Sequence, residues 1–195
     1  MTERLPAARR RRQLFEVASR LFAQRGFHET SMNDIAVEAG VTKPVLYQHV
    51  PSKRALYLEL LDNVGNEMLE AITKATAEAG SPADQVRLGF RAFFRYVDAE
   101  GDAFRLLFGS GTRRDPEFAE AVERVEDAIA ATIAEFIVVD GLDRERRFLL
   151  ALGLVGMAEA TSRHWMRSGA AGDPDALAQQ VADLAWHGLR DIRTG

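Results

Sequence analysis

The 195-residue sequence contains no cysteine, which removes disulfides, thiol catalysis and a cysteine redox sensor together. No apolar run reaches the roughly 18 residues of a membrane span; the longest candidate, Phe148–Ala158, reads as a buried helix. The N-terminal stretch is arginine-rich and has no apolar export segment, so a cytoplasmic protein is expected. Only four histidines occur, at 28, 49, 164 and 187; they lack metal-ligand spacing, and no HExxH or ExxH pair is present. No Ser-His-Asp arrangement can be inferred and no glycine-rich phosphate loop is found, so catalytic residues, a metal site and a cofactor are not expected. Alternating strand patterns and internal repeats are also missing.

What remains is helix. Apolar residues make up 47% of the chain, enough to bury a core. The net charge of −4 is unevenly spread: residues 1–54 carry ten Lys/Arg and five Asp/Glu, a net of +5, and the rest carries −9. A basic head on an acidic body suits a protein that presents one end to phosphates.

Thr30–Leu56 organises the chain. Ser31 is an N-cap with Asp34 as its capping-box partner, and Ile35, Ala36 and Ala39 fall on one helical face. Gly40 supplies the left-handed stop. Thr42 caps a second helix of about two turns, with Pro44 in its first turn. It ends before Pro51, and Ser52 caps a third. Lys43, Val45, Gln48 and His49 point outward with Tyr47 beside them; Val41, Leu46 and Val50 point inward. This is the pattern of a helix-turn-helix, one side apolar and one side free to enter a major groove. Upstream, Leu14, Val17, Ala18, Leu21 and Phe22 form a buried stripe on a first helix opened by Arg9–Arg12. Those arginines either hold a phosphate backbone or minor groove, or form a solvated helix end; the sequence singles none of them out.

Gly26-Phe27, Thr30-Ser31, Asp34-Ile35-Ala36, Ala39-Gly40-Val41, Leu46-Tyr47, His49 and Pro51-Ser52-Lys53 together resemble the DNA-binding domain of TetR-type regulators over about residues 9–60. Val50 stands where that family usually has phenylalanine, and Pro44 where glycine is common. By chemistry, Ser31, Tyr47, His49 and Lys53 are placed for phosphates, and Thr42, Lys43, Pro44, Val45 and Gln48 for base edges. The resemblance strengthens the phosphate roles of Tyr47, His49 and Lys53. It also implies a fourth helix, from about Lys53 to Ala79, whose tilt changes the spacing of paired reading heads.

Beyond Gly80-Ser81-Pro82 five more helices are expected, giving an all-α protein of about nine. Residues 1–52 form the helix-turn-helix domain, and 53–195 a helical bundle for ligand binding and dimerisation. Eight of the eleven phenylalanines follow residue 89. Bundle packing accounts for any one of them; as a group they suggest an apolar chamber walled by Phe94, Phe104, Phe108, Met157 and Trp165, with Arg105 and His164 among the inward polar candidates. Phe148, Leu152, Val155 and Gly156 on one terminal helix, with Val181, Leu184 and Leu189 on the other, suit a four-helix dimer interface. The expected function is a homodimeric transcription regulator on a palindromic double-stranded DNA operator, a repressor released by a small hydrophobic effector. An all-α binding protein or enzyme with a purely structural helix-turn-helix is the alternative.

Overall fold

The computed structural model describes residues 6–109, 111–138 and 141–189, and among these the chain is helical throughout. The elements are α1 (Ala7–Glu29), α2 (Met32–Glu38), α3 (Lys43–Tyr47), α4 (Lys53–Thr76), α5 (Pro82–Ala99), α6 (Gly101–Phe108), a 3-10 turn (Thr112–Arg114), α7 (Pro116–Phe136), α8 (Arg144–Arg167) and α9 (Pro174–Leu189). α5, α7 and α9 start at a proline and α3 has Pro44 as its second residue, where the missing amide has no intrahelical partner to lose. The expected end of α9 near residue 192 lies outside the described residues.

Caps set the boundaries. The Ser31 hydroxyl accepts from the Asp34 amide at 3.1 Å, and the Asp34 carboxylate accepts from the Ser31 amide at 2.8 Å. The Ser31 hydroxyl, which also donates to the Asp34 carboxylate, and then the Ser31 amide hold the Asp34 carboxyl below the usual carboxylate range. Ser81 and Asp143 accept in the same way from the amides of Asp84 and Arg146. Two boundaries differ from expectation. The Thr42 hydroxyl makes no capping bond, and α3 spans five residues rather than two turns. It is held by the Val45 and Leu46 amides on the Thr42 carbonyl, at 3.0 and 3.1 Å.

The chain forms two compact units, cut differently from the functional domains expected at 52/53. The first comprises the described residues up to Val64 together with Asp102–Ala121. Its core is Leu14, Ala18, Ile35, Leu46, Leu56, Leu61, Leu106, Leu107 and Phe118, none more than 1% exposed. Phe22, Phe27, Tyr57 and Phe118 form a ring cluster with centroids 4.5–5.9 Å apart. Tyr57 hydrogen-bonds the Thr112 hydroxyl at 2.8 Å, and Thr112 donates to the Leu106 carbonyl. Burial raises the Tyr57 phenol, against the pull of that hydrogen bond.

The second unit comprises Gly65–Gly101 and the described residues from Val122 on. Here α5 packs extensively on α9. Phe90, Phe93, Phe94 and Val97 are buried on one helix, and Ala178, Val181, Ala182 and Ala185 on the other. Phe94 meets Phe93 and Trp165 edge-on, at 5.4 and 6.5 Å. Ala130, Ala134 and Ala151 form a small-residue core between α7 and α8, covered by Ile133, Ile137, Phe148, Leu152 and Val155.

Gly65 lies in the middle of a helix, where glycine costs about 1 kcal/mol relative to alanine. A Cβ there would sit 2.6 Å from both γ-carbons of Val125, a branched side chain with little freedom to move. Gly65→Ala is therefore expected to lower stability by about 1–3 kcal/mol despite its better helix propensity. Urea melts of the two proteins give the sign directly, and an unchanged or raised midpoint refutes the packing argument.

Arg91 and Arg95 both close on the Asp175 carboxylate at the start of α9, at 2.8 and 2.7 Å. Arg95, then Arg91, pulls this carboxyl far below the ordinary range. A depressed carboxylate contributes stability above its unfolded pKa of ~3.9, and that contribution is lost as pH falls through the folded value. Stability of the wild type should thus fall below about pH 4 more steeply than that of Asp175→Asn. Thermal melts from pH 6 to pH 3 test it; superimposable acid limbs count against the clamp.

Candidate nucleic-acid interface

The reading element is built locally. Gly40 at φ 65° reverses the chain, and the Val41 amide closes back on the Ala36 carbonyl at 2.9 Å. Leu46 and Val50 are 0% and 1% exposed, so α3 is anchored on its inner side. Val50 thus fills the inward site as valine. Val41 is only half-buried.

On the outer side Thr42, Lys43, Pro44 and Gln48 are exposed, Tyr47 is 50% exposed, and Val45 and His49 are half-buried. Every member of the base-directed set is therefore at least partly open to solvent. Ser31 is exposed as well, although its hydroxyl donates to the Asp34 carboxylate at 2.6 Å.

Supports surround this surface. The Gln13 amide donates to the Ala39 carbonyl at 3.3 Å, and Arg20 pairs with Glu38 at 3.0 Å. Arg11 pairs with Glu59, donates to the His49 carbonyl at 3.4 Å and lies over the Phe15 ring. Arg10 and Arg12 bond Gln13 and Glu16 on their own helix, and Arg9 is exposed.

Lys53, expected at a phosphate, also has partners within its own unit. Its ammonium donates to the Phe27 and Thr30 carbonyls, both at 2.8 Å, and sits 4.3 Å from the Phe27 ring centroid. Arg54 was not foreseen at all. It pairs with Asp115 at 2.7 Å and Glu117 at 2.5 Å, and covers the Phe118 ring at 4.8 Å. Arg54 in turn holds the Asp115 carboxyl below its ordinary range.

Residues 14–60 match the sequence profile of bacterial regulatory proteins of the tetR family, and residues 82–188 match that of a tetracyclin repressor-like C-terminal domain. The HTH-type transcriptional activator FasR of Mycolicibacterium smegmatis is 32% identical over 190 residues, covering 97% of this chain and 87% of that protein. The chain belongs to the TetR family. It is a DNA-binding transcription regulator of that family. A TetR-like transcriptional regulator from Rhodococcus sp. RHA1 superposes with a TM-score of 0.79 at 30% identity, covering 97% of this chain and all of that one. FadR from Bacillus subtilis in complex with stearoyl-CoA has the same fold, with a TM-score of 0.79 at 17% identity over 89% of this chain and 96% of that one. Among the described residues no helix of this TetR-family protein is long and apolar enough to cross a membrane.

The residues expected to wall an effector chamber divide between the two units. Phe104 and Phe108 are buried in the first, with rings 4.9 Å apart. Phe94 and Trp165 are buried in the second, where Met157 is half-buried. The polar candidates do not face inward. Arg105 is exposed and pairs with Asp102 one turn away at 2.6 Å, and His164 is exposed. Both side chains stay at the surface, where their polar groups lose no hydration.

The second unit carries a groove of about 440 Å³ that sequence reasoning missed, lined by Ala71, Ala75, Leu88, Arg91, Ala92, Arg95 and Tyr96. Burial, then the charges of Glu67 and Glu100, pushes the Tyr96 phenol well above its usual value. Small residues from two helices make the groove, and alanines spaced along separate helices carry no distinctive signal.

For the expected dimer face the outcome is mixed. Leu184 is 68% exposed and Gly156 is exposed. Phe148, Leu152 and Val155 are half-buried against the α7 alanines, and Leu189 is half-buried. Val181 is corrected: at 6% exposure it already belongs to the core of its own unit, because its side of α9 is the one turned into that core. Leu149, 68% exposed, and exposed Gly153 and Ala160 extend the open face instead.

Proposed function

We propose that this TetR-family regulator binds a palindromic operator as a homodimer through Thr42, Lys43, Pro44, Val45, Tyr47, Gln48 and His49, and leaves it when its C-terminal helices take up a small hydrophobic ligand. The carrying observation is that Lys43 and Gln48 stand open to solvent over an anchored Leu46 and Val50. A helix-turn-helix used only for packing would cover that side. The open row of Leu149, Gly153, Gly156 and Ala160 with Leu184 supports pairing of two copies. Repression and activation differ in where the operator lies, and ligand-driven release serves either.

The test uses full-length protein and a duplex selected by it from a randomised library. Anisotropy titrations with and without a long-chain acyl-CoA as the hydrophobic probe should show operator affinity falling at least fivefold, as a coupling of ~1–3 kcal/mol requires. Release depends on differential affinity, so an acyl-CoA that binds tightly and leaves DNA affinity untouched sinks this ligand assignment.

A further inference from the structure

We infer that the Ser162 hydroxyl is the interior hydrogen-bond donor of the effector site, so that the effector meets it with a neutral carbonyl and keeps any charge outside. Ser162 is 0% exposed, and its Oγ has no hydrogen-bond partner among the described residues. That is uncommon, because the large majority of buried side-chain polar atoms are satisfied. A serine or threonine inside a helix can donate to the carbonyl four residues back. Thr76, Thr132 and Thr161 do so, on Ile72, Ala128 and Met157 at 2.9, 3.0 and 2.6 Å. For Ser162 that acceptor is the Ala158 carbonyl, and Thr161 already donates to it at 3.1 Å.

Its surroundings define the partner. Ser162 lies on the buried stripe of α8 with Ala151, Leu154, Ala158 and Trp165. Trp165, three residues on along that face, meets Phe94 of α5 edge-on. Small-molecule sites are mostly apolar, with a few polar groups that orient the ligand. Arg105 and His164, expected in that role, are exposed, whereas Ser162 is inside. The second unit has one other buried polar side chain among the described residues, Thr76, which donates to the Ile72 and Thr73 carbonyls. Neither hydroxyl carries a charge. A carboxylate or ammonium brought here would lose its hydration without gaining a counter-ion. An uncharged ester, thioester or ketone oxygen needs only the donor that Ser162 has to give. An orphan hydroxyl destabilises the core that holds it, and a carbonyl seated against it removes that cost.

The inference deepens the ligand reading above and rests on it, and its test separates the two. Lauroyl-CoA is compared with its thioether analogue S-dodecyl-CoA, which has the same chain and head and a methylene in place of the carbonyl. Full-length wild type and Ser162→Ala are titrated with each by calorimetry without DNA, and both proteins are melted without ligand. Ser162→Ala should melt about 2–6 °C higher, since it deletes an unsatisfied group and leaves almost no cavity. It should bind lauroyl-CoA about threefold to tenfold more weakly. Its affinity for the thioether should stay within about twofold of wild type, because the coupling belongs to the hydroxyl and the carbonyl alone. A lower melting temperature would show that the hydroxyl had a partner to lose, and it overturns the inference. An equal loss for both compounds, or an unchanged affinity for lauroyl-CoA, does the same. In each of these cases ligand-driven release still stands if lauroyl-CoA lowers the operator affinity of the wild type. The expected pattern with operator affinity untouched sinks the release reading and leaves Ser162 in its role. A wild type that binds neither compound overturns both.

Discussion

Replacing Lys43 and Gln48 by alanine and Tyr47 by phenylalanine in one protein is expected to abolish operator recognition and leave the fold intact. Lys43 and Gln48 are exposed and Tyr47 is half exposed, so truncation opens no cavity and buries no unpaired group. The anchoring residues Leu46 and Val50 are untouched. Each good base-edge contact is worth about 1–3 kcal/mol of discrimination. In a symmetric dimer every substitution occurs twice, so two such residues at the low end of that range give about 4 kcal/mol, roughly a thousandfold. Anisotropy on the selected duplex measures the loss, and circular dichroism melts confirm the fold. Affinity within threefold of wild type would mean that another surface reads the DNA.

Gly156→Leu is expected to separate the dimer while the chain still folds. Gly153, Gly156 and Gly188 are exposed inside helices, where each costs about 1 kcal/mol against alanine. A Cβ added at any of the three meets nothing within 4 Å. Nothing among the described residues needs glycine at these places. Under the proposed pairing, close approach by a second copy would supply the reason. A leucine there overpacks a symmetric interface twice, at about 1–3 kcal/mol per site. Sedimentation equilibrium should show a monomer at concentrations where the wild type is paired. Operator affinity should fall by two orders of magnitude or more as the second half-site contact becomes intermolecular. A dimer constant unchanged by Gly156→Leu moves the interface elsewhere. Gly156→Ala, too small to force the helices far apart, offers a graded control.

The two units show how far local chemistry carries. Ser31 with Asp34, Gly40, Pro44 and the inward Leu46 and Val50 are governed by neighbours within a turn or two, so spacing alone places them. The internal partners of Lys53 are not legible from spacing, because they lie 26 and 23 residues away. They became available only because Gly26 breaks the end of α1. Arg54 meets Asp115 across 61 positions, and no periodicity links them. Arg105 was one candidate for an inward polar group, a salt bridge being the other reading, and it pairs with a carboxylate three residues back at the surface.

Read alone, the order of residues determined an all-helical chain, a helix-turn-helix between Thr30 and Leu56 and the polar, outward side of α3. Capping, helical period and glycine geometry act over a few residues and need no knowledge of the rest. Tertiary structure decided which cations meet carbonyls or carboxylates of their own chain, which side of α9 was already covered, and that Asp102–Ala121 joins the N-terminal unit. Those outcomes turn on which distant groups a charge or a ring meets first, and only the packed chain brings them together.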